Sequence, residues 1–142
     1  MISGTNSIGN TSSKKGKVTF KTFNPKENKN TEWTFYEATS NEIDDAVELA
    51  TNAFKVYKHI SGLRKAEFLE EIATEIEALG DELINTYCKE SGLPEGRARG
   101  ERGRTMGQLR AFANVLKEGS WIEAVIEKAQ PNREPMPKSD IR

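Results

Sequence analysis

Four glycines stand inside a stretch that otherwise reads as a helix: Gly96, Gly100, Gly103 and Gly107 within Glu90–Ala113, ESGLPEGRARGERGRTMGQLRAFA. An interior glycine costs about 1 kcal/mol relative to alanine, so four cost roughly 3–4 kcal/mol. A segment that tolerates this cost needs something close to its backbone. At about 100° per residue the four glycines share one line, spaced i, i+4, i+7 and i+11. Ala98, Thr105, Leu109, Phe112 and Leu116 fall opposite as an apolar face. Arg97, Arg104 and Gln108 edge one flank of the glycine line, and Arg99, Met106 and Arg110 edge the other. The helix is expected from about Glu95 to Lys117, closed by Gly119.

Two uses of such a helix compete. In one, the side-chain-free groove receives another helix or strand, and the arginines pair with the acidic segments at residues 42–90. In the other, the groove admits a small ligand and an arginine binds its carboxylate, a task suited to the planar guanidinium fork. A phosphate site is a third option. The spacing Gly96-x-x-x-Gly100-x-x-Gly103 matches neither a Walker A loop nor a dinucleotide-binding turn, and no strand precedes it.

The remaining chain supplies a mostly helical frame. Residues 1–17 are rich in Gly, Ser, Thr, Asn and Lys, lack periodicity, and read as a disordered leader. Val18–Phe23 and Trp33–Tyr36 alternate as strands and imply an antiparallel hairpin with a long polar connection around Lys26–Thr31. Thr39 and Glu42 form a capping-box pattern. Ile43, Ala46, Val47, Ala50, Ala53, Phe54 and Tyr57 then recur at helical spacing to about His59. Ser61 can cap a second helix with the stripe Ala66, Leu69, Ile72, Ala73 and Ile76, stopped by Gly80. Asp81 can cap a short third helix, Glu82–Glu90, ended by Gly92. Trp121–Ala129 is apolar without a clear period, and Pro131, Pro135 and Pro137 impose an irregular connection after it.

The 142 residues suit one domain. Hydrophobic residues are only 35% and charged residues 30%, which leaves little core material. Net charge is −1, so no global field points to nucleic acid or membrane. The charge is segregated, however: residues 1–31 carry +5, residues 32–91 carry −9 and residues 92–142 carry +3. A basic third region beside acidic helices fits internal pairing at least as well as an outside partner. The single cysteine, Cys88, excludes an intrachain disulfide and favours a reducing, cytoplasmic setting. It reads as a packed residue with no base to activate it. His59 is the only histidine, so no catalytic triad or histidine-rich metal site is available.

The blocks ESGLP at 90–94, GERGRT at 100–105 and GQLRAFA at 107–113 resemble the aldehyde dehydrogenase superfamily, and within it the branch that oxidises 2-oxoglutarate semialdehyde (2,5-dioxopentanoate). Phe23-Asn24-Pro25, the Ala38–Phe54 segment, Phe68-Leu69 with Ile72-Ala73, and Pro131–Arg133 through Ser139–Arg142 support the resemblance in order and spacing. The resemblance implies an α/β fold. Residues 18–142 would be a truncated N-terminal part of its cofactor-binding domain, with about four helices and an N-terminal β-hairpin. It also implies a complete enzyme that takes a small aldehyde and NAD or NADP, working as a homodimer or homotetramer. The family's catalytic Cys, its general-base Glu and its dinucleotide-binding segment would lie outside these residues, so the chain alone would be inactive. By the same resemblance the glycine-rich helix lines a substrate tunnel, with Gly100 in its wall. Arg104 is the leading carboxylate anchor, with Arg97 and Gln108 on the same flank. A fatty or medium-chain aldehyde is the alternative substrate. A non-enzymatic helical module binding anions or a partner is the alternative of another kind.

Overall fold

The computed structural model describes residues 2–141. Two antiparallel strand pairs precede four helices: β1 (Asn6–Ile8) with β2 (Thr11–Ser13), and β3 (Thr19–Asn24) with β4 (Lys29–Tyr36). The helices are α1 (Ser40–Tyr57), α2 (Gly62–Ala78), α3 (Gly80–Ser91) and α4 (Glu95–Glu118), followed by a 3₁₀ turn at Ser120–Ile122. The four helices and the hairpin agree with the sequence reading.

The expectation of a disordered leader does not hold for the described part of residues 1–17. β1 and β2 pair from Asn6↔Ser13 to Ile8↔Thr11, and the hairpin is tied down at both ends. The Tyr36 N–H donates to the Gly4 carbonyl at 3.1 Å, and the Asn6 side-chain amide donates to the Tyr36 carbonyl at 3.3 Å. Gly4 sits at φ +65°, and a Cβ there would lie 1.9 Å from the Thr34 carbonyl oxygen. Only glycine fits such an approach. The polar composition that suggested disorder instead supplies the hydrogen bonds that replace an apolar core.

The connection between β3 and β4 is also shorter than the sequence suggested. Pairing runs from Thr19↔Tyr36 through an irregularity near Lys21 and Phe23 to Asn24↔Lys29. Only Pro25–Asn28 remain as the turn. The Asn24 side-chain oxygen accepts from the N–H groups of Lys26 (3.0 Å) and Glu27 (3.3 Å), closing an Asx turn. Polar residues at Lys29–Thr31 are strand residues because buried Thr31 meets Thr22 hydroxyl to hydroxyl at 2.7 Å.

Glu42 is the anchor between strands and helices. It closes the α1 capping box with Thr39, as the sequence pattern foretold. Its second oxygen accepts from the Ser13 hydroxyl and the Lys15 N–H, so one buried carboxylate fastens β2 to the start of α1. These donors, the Ser13 hydroxyl foremost and the Thr39 N–H next, hold its pKa down at about 2 against the cost of burial.

The core proper lies between α2 and α4, which run antiparallel. Ala66 and Ala73 of α2 and Ala98, Met106 and Ala113 of α4 are buried, with Ile84 of α3 beside them. Small residues let the two helix backbones come close: a Cβ on Gly62 would lie 2.9 Å from the Leu116 carbonyl oxygen. The buried face of α4 is therefore rotated from the one drawn on the helical wheel. Met106 faces the core, whereas Phe112 is 60% exposed. Alanine fills the positions of closest approach, and a phenylalanine ring does not fit there.

Asp81 does not cap α3. The helix begins at Gly80 without a side-chain cap, and Asp81 pairs with Arg99 instead. Ser61 does cap α2, accepting from the Arg64 N–H at 3.3 Å. Gly92 ends α3 at φ +71°, packed against the Pro25 ring, and Pro94 leads into α4. Beyond the 3₁₀ turn, residues 123–141 fold back through the bridges Glu127↔Ile141 and Gln130↔Lys138 around the proline-rich bend.

Candidate functional site

The glycine line of α4 is open. A Cβ placed on Gly96, Gly100, Gly103 or Gly107 meets nothing within 4 Å. No element of the described chain fills the groove, so the helix or strand expected there in the first of the two uses is absent among the described residues. The opposite side of the helix faces α2 through Ala98, Met106 and Ala113.

The arginines divide by flank. Arg99 pairs with Asp81 of α3 (2.8 Å) and with Glu95, and Arg110 pairs with Glu77 of α2 (3.1 Å). Arg102, half-buried, donates to the Gly80 carbonyl at 3.1 Å, closing the joint between α2 and α3. With Lys117–Glu70 at 2.6 Å, these contacts lash α4 to its neighbours along its length. Expected internal pairing of basic and acidic segments is borne out on this side.

Arg97 and Arg104 behave differently. Both turn to a single acid of their own helix, Glu101. Arg97 reaches one carboxylate oxygen at 2.6 Å, and Arg104 places Nε and Nη2 on the other at 3.1 and 2.8 Å. The hydrogen bond from Arg104, then the charges of Arg104 and Arg97, hold the Glu101 carboxyl below its usual range against partial desolvation. Both guanidinium side chains remain well exposed. Two cations share one anion, which leaves an excess positive charge beside the open glycines. Gln108 lies one turn further on the same flank and is exposed. Gly100 lies one turn before Arg104.

Thus the structure brings Arg97 and Arg104 together on one acid, with Gly100 and Gln108 along the same helix. Glu101 is the member that the sequence reading passed over. Its signal was the spacing to Arg97 at i−4 and to Arg104 at i+3, the distances at which helical side chains meet. A second feature also went unnoticed. Where α2, α3 and α4 converge, an apolar cavity of about 300 Å³ opens, with Glu101, Arg102 and Thr105 on the α4 side. Cys88 is a half-buried free thiol. Among the described residues no group of three His, Cys, Asp or Glu side chains is placed to hold a metal, and no helix is long and apolar enough to cross a membrane.

An arginine-edged helix on a helical frame is matched, over residues 11–136, by the model of the aldehyde dehydrogenase family. The chain belongs to this oxidoreductase family. It is 50% identical over 105 residues to alpha-ketoglutaric semialdehyde dehydrogenase 2 of Azospirillum brasilense, a match that covers 74% of the chain and 20% of that protein. It is 41% identical over 124 residues to alpha-ketoglutaric semialdehyde dehydrogenase of Acinetobacter baylyi, covering 87% of the chain and 24% of that protein. It is 28% identical over 112 residues to 1-pyrroline-5-carboxylate dehydrogenase of Staphylococcus saprophyticus, covering 79% and 22%. The chain therefore spans about a fifth to a quarter of the length of the curated relatives it matches.

Proposed function

We propose that these residues are the substrate-entrance region of an NAD- or NADP-dependent aldehyde dehydrogenase that oxidises 2,5-dioxopentanoate to 2-oxoglutarate. The semialdehyde is the one named in the two relatives at 50% and 41% identity. In the balanced reaction the aldehyde and water yield a carboxylic acid, a hydride passes to the oxidised nicotinamide, and a proton is released. The enzyme would work in the cytoplasm as a homodimer or homotetramer. The catalytic thiol, the base and the cofactor contacts belong to other residues of that enzyme. In this chain Gly96 stands in the first turn of α4 and the other three glycines inside it, and a helix rather than a strand precedes them, so α4 lacks the strand-to-helix glycine turn of a pyrophosphate seat.

The observation that carries the reading is the shared acid. Arg104 is parked on Glu101 by an exposed pair, an interaction worth about 0–1 kcal/mol. A substrate carboxylate can displace that pair at little cost, and Arg97 keeps Glu101 neutralised when Arg104 turns away. The open line at Gly100 and Gly103 gives the carbon chain room beside the backbone. Gln108 extends the flank with an amide.

A fatty or medium-chain, uncharged aldehyde is the second reading, favoured by the two hydrogen bonds that Arg104 gives to one Glu101 oxygen. Kinetics of a full-length enzyme bearing this region decide between them. Loss of one charged hydrogen-bond partner costs about 1.5–3 kcal/mol, so Arg104→Ala should raise KM for 2,5-dioxopentanoate roughly 10- to 100-fold. KM for pentanal should scarcely move. Equal effects on both substrates would remove Arg104 from substrate binding.

A further inference from the structure

α4 carries two arrangements of charge with opposite ratios. Around Arg99, one guanidinium is held by two acids, Asp81 and Glu95. Around Glu101, one carboxylate is shared by two guanidinium groups. The sharing is uneven. Arg97 takes one Glu101 oxygen, and both hydrogen bonds from Arg104 converge on the other. Glu101 therefore does not offer Arg104 the parallel, two-oxygen fork that a guanidinium binds best, because Arg97 occupies the second oxygen. Exposure shows which partner can move. The Glu101 side chain is 24% exposed and lines the apolar cavity beside Arg102 and Thr105, whereas the Arg104 side chain is 72% exposed. Among the described residues Arg104 meets no other acid.

We propose that Glu101 is a built-in competitor for the substrate carboxylate, and that it sets the affinity and the charge selectivity of this site. Without substrate, Glu101 occupies Arg104 through a single oxygen. A substrate carboxylate brings two unshared oxygens, forms the fork, and draws Arg104 off Glu101, which Arg97 continues to neutralise. Every substrate that uses Arg104 must break the pair. Glu101 thus weakens binding somewhat while it keeps Arg104 from anions that cannot form a fork. A neutral aldehyde makes no such exchange. This role rests on the reading of Arg104 as the substrate contact.

Steady-state kinetics of the full-length enzyme with 2,5-dioxopentanoate and pentanal provide the test. Glu101→Gln keeps the shape of the side chain and removes its charge. It should lower KM for the semialdehyde about two- to five-fold, the worth of one exposed pair. Both kcat and the KM for pentanal should stay unchanged. In an Arg104→Ala background, Glu101→Gln should have no effect on KM. Arg97→Gln leaves both Glu101 oxygens to Arg104, so it should raise KM for the semialdehyde by a similar factor, and the rise should vanish in Arg97→Gln/Glu101→Gln. Arg97 is 64% exposed, so its variant reads the same pair even where Glu101→Gln fails to fold. A KM that rises or stands still in Glu101→Gln, a fall that persists without Arg104, or an unchanged KM in Arg97→Gln would overturn the proposal. So would an Arg97→Gln effect that survives the loss of Glu101. Arg104→Ala alone separates the two failures. If it raises KM for the semialdehyde selectively, only the competitor role is lost; if it does not, the reading of Arg104 as substrate contact falls first.

Discussion

Glu42 shows how much one side chain can organise in a chain with little core. Four donors from β2, its following loop and the α1 cap converge on its carboxylate. Its pKa is depressed in the folded state, from an ordinary 4.5 to about 2. The ionised form is therefore favoured by folding. That stabilisation is complete above the unfolded value and is lost as pH falls from about 4.5 through about 2. Thermal melts across this window should show a declining midpoint, and Glu42→Gln should lower the midpoint at pH 7 and flatten the decline. An unchanged slope would mean that other carboxylates dominate acid unfolding. The capping pattern at Thr39 and Glu42 was plain in the sequence. The reach of Glu42 to Ser13 was not, because it depends on a hairpin whose polar composition hides its order.

Among the elements, α4 is the one whose two sides can be tested separately. On its open side, Gly103→Ala adds a methyl to empty space on a helical backbone. It should stabilise the fold by about 0.5–1 kcal/mol. In the full-length enzyme the same change at Gly100 should raise KM for the semialdehyde, since it narrows the proposed entrance. On the closed side, Ala113→Leu forces extra volume between α2 and α4 and should cost about 1–3 kcal/mol in a urea titration. The helix limits, the glycine line and the flank membership of Arg97, Arg104 and Gln108 were all legible from spacing. The buried face was not fully legible. Hydrophobicity pointed to Phe112, whereas close helix packing selects Ala113 and Met106. Glu101 escaped notice for a related reason: an acid among five arginines reads as surface charge until its two partners are seen.

The whole molecule has more apolar surface than its own core can use. The α1 stripe, whose helical period was clear from sequence, is nearly all exposed: Ile43, Val47 and Phe54 are each more than half accessible. Trp121, Ile122, Val125 and Ile126 add a second exposed group near the C-terminal bridges. Contiguous apolar patches promote association. The isolated chain should therefore show concentration-dependent mass in sedimentation, reduced by Val47→Glu/Phe54→Glu. A monodisperse monomer with a sharp, cooperative melt would contradict this. Periodicity reports that a face is apolar; it cannot report what covers it, and most of the length of the matched relatives lies outside this chain.

The α4 arginines divide between Arg110, which pairs with Glu77 of α2, and Arg104, which pairs only within its own helix and is the proposed substrate contact. The most direct measurement is the ratio of kcat/KM for 2,5-dioxopentanoate to that for pentanal, in a full-length enzyme bearing either Arg104→Ala or Arg110→Ala. Loss of a charged contact predicts that the ratio falls about ten-fold or more for Arg104→Ala. It should hold for Arg110→Ala, whose exposed pair with Glu77 affects stability by less than about 1 kcal/mol. Equal ratios in the two variants, or a larger fall for Arg110→Ala, would contradict the account.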